Sequence, residues 1–114
     1  MGTESNTGHS KVFDSFLFRN EGNGCLSSVY MEHQSNRPFT ESCISQGPVN
    51  ADPFIGTFDT SWLEPQNRTG RLVIKRTGMT YDLTWSGFSV DGSVYRGTAF
   101  LSEGKLIGSY WLQS

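Results

Sequence analysis

Between residues 12 and 112 apolar side chains recur at every second position in short runs, and clusters of Gly, Asn, Asp and Pro separate the runs. A period of two marks a strand with one buried face, while the clusters supply the backbone angles that turns require. The pattern predicts eight strands, at residues 12–18, 25–31, 39–45, 54–62, 71–76, 79–85, 94–101 and 105–112. Helical spacing is hinted at only in residues 27–34. Thr77-Gly78 and Glu103-Gly104 each leave two residues between runs, a loop length that makes the flanking strands antiparallel neighbours. The expected fold is all-β, an eight-stranded antiparallel up-and-down meander that closes into a barrel, because closure removes the edges that would otherwise recruit other chains.

The faces of these strands differ. Tyr81, Leu83 and Trp85 alternate with Thr80, Asp82 and Thr84, and Leu72 and Ile74 lie opposite Arg71, Val73 and Lys75. Each of these strands has one interior face. In the last strand Leu106, Gly108, Tyr110 and Leu112 fill one face, while Ile107, Ser109 and Trp111 on the other are also mainly apolar. A barrel buries only one face of a strand, so the other is expected to meet a second subunit or to be capped by the N-terminal segment. A homo-oligomer joined through the C-terminal strands is the simpler expectation.

The chain has 114 residues, room for one domain. Residues 1–10 are polar and are expected to form a flexible tail ahead of a barrel spanning 11–114. Eight Phe, four Tyr, three Trp and thirteen Gly fit many short strands joined by tight turns. A net charge of −2 provides no field to draw nucleic acid or an anionic membrane. Without a run of about 20 apolar residues or an N-terminal signal segment, the chain as given is expected to be soluble and cytoplasmic. Cys25 and Cys43 could bridge neighbouring strands in an oxidising compartment or remain thiols in a reducing one; the cytoplasmic expectation favours thiols.

An eight-stranded barrel is wide enough to be filled by its own side chains or to hold one small ligand. Trp85, Trp111, Trp62, Tyr81 and Tyr95 are the candidate ligand-binding residues, since large flat rings offer contact area with little entropy to lose. The corresponding function is non-enzymatic binding of an apolar or aromatic small molecule in or at the mouth of the barrel. The alternative is a protein-interaction or protease-inhibitor-like module with a solid barrel that uses its tail or outer faces. Asp59, Asp82 and Glu64 read as solvated carboxylates, and His9 and His33 are not linked to a metal set. No catalytic residue, metal or cofactor is assigned. Asn67-Arg68-Thr69 fits a glycosylation sequon, and the basic residues around it read as a solubilising face.

Residues 81–114, YDLTWSGFSVDGSVYRGTAFLSEGKLIGSYWLQS, resemble the later strands of the avidin and streptavidin family: aromatic-x-aliphatic-x-Trp, a loop, an aromatic followed by x-Gly, a tight turn, and Trp-Leu before a Ser. Residues 53–62, PFIGTFDTSW, are similar to the Gly-x-Trp strand of such barrels, with Phe58 in place of Trp. The resemblance implies a streptavidin-like barrel whose subunits associate through outer faces, with Trp85 and Trp111 walling the site from within one subunit. The Asn, Ser and Tyr set that the family directs at biotin has no counterpart that can be matched residue by residue, so biotin is not implied.

Overall fold

A computed structural model describes residues 14–32, 35–62, 68–88 and 92–113. The expected tail at residues 1–10, together with Glu64, His9, His33 and the sequon Asn67, lies outside the described residues. Eight strands run in chain order: β1 (Asp14–Gly22), β2 (Cys25–Tyr30), β3 (Phe39–Ser45), β4 (Gly56–Trp62), β5 (Arg68–Thr77), β6 (Thr80–Ser86), β7 (Tyr95–Ser102) and β8 (Lys105–Leu112). Each pairs antiparallel with the next, and β1 pairs with β8 from Asp14↔Tyr110 to Arg19↔Lys105, closing the barrel. The stretch 27–34, where helical spacing was weakly present, begins inside β2.

The turns refine the expected boundaries. The β5–β6 hairpin turns on Gly78 and Met79, one residue later than Thr77-Gly78, because Thr77 pairs with Thr80 and the first central position takes a φ of 63°. Glycine adopts that angle without steric cost. Glu103 and Gly104 both have positive φ, as a two-residue turn of the I′ kind requires. At the β1–β2 hairpin only Asn23 and Gly24 form the turn, since β1 carries a bulge between Asn20 and Gly22 and continues past the expected break.

One end of the barrel is plugged. The connection between β3 and β4 folds inward there: Phe54 is buried in the core, its N–H is accepted by the Asp52 carboxylate at 3.0 Å, and that carboxylate also accepts the Tyr81 hydroxyl at 2.6 Å. Arg76 lies 3.8 Å from the same group. Above this plug Phe18, Leu26, Phe58, Leu72, Ile74, Leu83 and Leu106 form a solid layer. At the other end, where β1 and β5 start and β2 and β4 finish, the described side chains leave a cavity.

Cys25 and Cys43 are both free thiols. Cys25 pairs with Ile44 and Cys43 with Leu26, and since Leu26 is interior while Ile44 is exposed, the two sulfurs lie on opposite faces of the sheet. No disulfide can join them across that sheet.

Candidate functional site

Above the solid layer the interior changes character. At this level β2, β3 and β4 present Ser28, Glu41 and Thr60, all buried, whereas β5, β7 and β8 present Gly70, Gly97 and Gly108. Gly70 and Gly97 make room for rings. A methyl group at Gly97 would approach Trp85 to 3.0 Å and Phe16 to 3.3 Å, and one at Gly70 would meet Phe88 at 2.6 Å. The rings of Trp85, Phe16 and Phe88 therefore lie against bare backbone of β7 and β5.

Glu41 is the chemical centre of this level. Its alternation with Phe39 and Cys43 on β3 directs all three inward, and only 4% of Glu41 remains exposed. Its carboxyl accepts hydrogen bonds from Ser28 Oγ at 2.9 Å, Trp85 Nε1 at 2.9 Å and Cys43 Sγ at 3.7 Å, and from the Thr60 hydroxyl in a short contact. The single Cys43 S–H is shared between Glu41 and Thr60 Oγ1, which lies 3.4 Å from the sulfur. Burial raises the Glu41 pKa above the usual carboxylate range, and the four hydrogen bonds oppose that rise without cancelling it. The Cys43 thiol is pushed far up, first by burial and then by the neighbouring Glu41, which favours its protonated form.

A cavity of about 400 Å³ opens over Glu41 towards the mouth. Its wall is a continuous chain of rings: Trp62 to Phe88 at 5.1 Å, Phe88 to Tyr95 at 6.0 Å, Tyr95 to Tyr110 at 6.2 Å, then Tyr110 to Trp85 at 5.9 Å and to Tyr30 at 6.1 Å. All five of these contacts are tilted or edge-to-face, the geometry in which aromatic quadrupoles attract. The Tyr110 hydroxyl donates to the Met31 carbonyl at 3.0 Å, tying β8 to the end of β2. Asp14, Glu32 and Arg68 complete the lining, with the Arg68 guanidinium 5.4 Å from the Phe88 ring centre. Burial raises the Tyr30 and Tyr110 pKa values strongly. Carboxylates add to both shifts: Glu32 and Glu41 act on Tyr30, Asp14 and Glu32 on Tyr110.

Of the five residues expected to hold a ligand, Trp62, Trp85 and Tyr95 line this cavity. Two do not. Trp111 pairs with the exposed Arg96 and lies on the outer face, because the alternation that buries Leu106 brings Tyr110, not Trp111, inside. The interior position that the family resemblance implied for Trp111 is thus taken by Tyr110. Tyr81 is interior but lies at the plugged end, bonded to Asp52. Glu41, Tyr30, Phe16, Phe88 and Tyr110 join the site without having been candidates. Glu41 could have been found from its period-two position between Phe39 and Cys43, the same signal that placed Trp85.

Asp59 and Asp82 are exposed, as their positions suggested, and accept from Gln46 Nε2 at 2.8 Å and Thr77 Oγ1 at 3.0 Å respectively. Among the described residues no group of three His, Cys, Asp or Glu side chains is placed to hold a metal ion. Compared with protein-family models, with curated proteins and with solved structures, the chain finds no match.

Proposed function

We propose that the barrel binds a small molecule with an apolar or aromatic body in the cavity above Glu41. The observation that carries this reading is an aromatic-walled space of about 400 Å³ at one end of a barrel whose other end is solid. Such a space lies within the size range of small-molecule pockets, and its mixture of rings with a few polar groups matches their usual lining. The resemblance of residues 81–114 to streptavidin-like strands supports the same reading, since Trp85 walls the site in that comparison. Titration with a library of aromatic compounds, read by tryptophan emission, tests it. A ligand should shift the emission of Trp62 and Trp85 and lose affinity in Tyr110→Ala. A library in which no compound shifts emission or raises the melting temperature would remove the proposal.

The second part of the proposal is self-association through the outer face of the C-terminal strands. Val29, Leu17, Ile107 and Phe100 stand in direct register across β2, β1, β8 and β7, forming an apolar stripe on the outside of the closure seam. Val29 is 38% exposed and Phe100 52%. Arg19 and Lys105 border the stripe on one side, Ser15, Ser109 and Thr98 on the other. An apolar centre with a polar rim is suited to a second copy related by a two-fold axis, which would lay stripe against stripe.

A further inference from the structure

Resting on the ligand-binding reading, we infer that the ligand of this cavity is an organic cation: a protonated primary or secondary amine attached to a flat apolar body, its N–H directed at Glu41. Two features of the lining converge on that chemistry. The first is the charge arrangement. Among the described residues three carboxyl groups, Asp14, Glu32 and Glu41, share the cavity with one guanidinium, Arg68. Among the described residues the side chains that hydrogen-bond to Glu41 are Ser28, Thr60, Trp85 and Cys43, all uncharged donors. They hold the carboxyl in a fixed orientation at the floor; burial disfavours its ionised form, and an entering ammonium is the partner that would stabilise that form.

The second feature is the wall. The faces of aromatic rings are negative, so a cage of Tyr30, Trp62, Trp85, Tyr95 and Tyr110 attracts a cation while also covering an apolar body. Arg68 over Phe88 already makes a contact of this kind at the mouth. An anionic ligand would face the opposite balance, with three carboxyls against it and one guanidinium in its favour. A neutral ligand would fill the space without using either feature. Depth and charge together therefore select the amine: its body lies among the rings, and its nitrogen reaches the floor.

Three probes of nearly equal shape separate these cases: phenethylamine, 2-phenylethanol and 3-phenylpropionate, titrated into the full-length protein by calorimetry. The expected result is that phenethylamine binds at least about tenfold more tightly than the alcohol, the propionate being weakest. In Glu41→Gln, whose amide can keep its oxygen towards Trp85 and Thr60 and turn its NH2 towards Ser28 Oγ, the amine should lose about tenfold while the alcohol changes little. Equal affinity of amine and alcohol for the wild-type protein, or tighter binding of the propionate, would overturn the cation inference while leaving the cavity as a ligand site. An amine preference that survives Glu41→Gln would overturn the role given to Glu41. If none of the three probes binds, the cation inference fails, and the wider library decides separately whether the cavity binds anything. Should Glu41→Gln not fold, the ranking of the three probes on the wild-type protein remains decisive.

Discussion

Trp85 Nε1 donates to the carboxyl of Glu41 at 2.9 Å inside the barrel, joining β6 to β3 across the interior, 44 positions apart in the chain. This bond makes one residue serve two ends: the indole packs against Phe16 at 5.7 Å as core, and its N–H fixes the acid at the floor of the cavity. Losing the ring and losing the N–H should therefore have separable effects. Trp85→Ala is expected to cost about 3–5 kcal/mol, and Trp85→Phe about 1–3 kcal/mol, chiefly from the hydrogen bond withdrawn from a buried acceptor. Chemical denaturation of both variants checks the order. Near wild-type stability of Trp85→Ala would show that this indole is not core.

Glu41 should make stability depend on pH. Burial raises its pKa in the folded chain above the ordinary carboxylate value that holds in the unfolded chain. Between those two values the folded chain holds a proton that the unfolded chain has released. Stability from this group is complete below the unfolded value and falls as pH rises through the folded one. Denaturation midpoints from about pH 4 to about pH 8 should show the wild type losing stability relative to Glu41→Gln, by at most about 1.4 kcal/mol per pH unit. A difference that stays constant across that range would contradict the raised pKa.

Gly108 should not tolerate even alanine. A Cβ there would lie 2.0 Å from the Thr98 carbonyl oxygen and 2.8 Å from the Ala99 Cα, both backbone atoms of the adjoining strand that cannot swing away. Overpacking of this kind typically costs about 1–3 kcal/mol, and a backbone clash belongs at the upper end or beyond. Thermal unfolding of Gly108→Ala, with Gly104→Ala at the exposed β7–β8 turn as the contrasting strained-turn variant, measures it. An unchanged melting temperature for Gly108→Ala would refute the packing described for the β7–β8 pair.

The outer stripe predicts the mass in solution. Light scattering at micromolar concentration should give about twice or four times 12.7 kDa. Phe100→Asp, placed in the exposed stripe, should return the mass to that of one chain without unfolding the barrel, as judged by far-ultraviolet circular dichroism. A single-chain mass for the wild type would sink the self-association proposal.

Strand number, order and most of the interior were determined by the sequence itself, because alternation is a local property and two-residue turns allow only antiparallel neighbours. Leu72, Ile74, Tyr81, Leu83 and Trp85 all face inward as their spacing requires. What local pattern could not decide was which of two apolar faces wins on β8. Pairing with both β1 and β7 resolved it, turning Leu106 and Tyr110 inward and leaving Trp111 beside Arg96. Nor could it decide depth along the barrel. Tyr81 and Trp85 share one face of one strand, yet the first meets Asp52 at the plug and the second meets Glu41 below the cavity. Depth depends on the register of all eight strands and on the inward fold of the β3–β4 connection, and the same register sets Gly97 of β7 beside Trp85 and Phe16 and Gly70 of β5 beside Phe88.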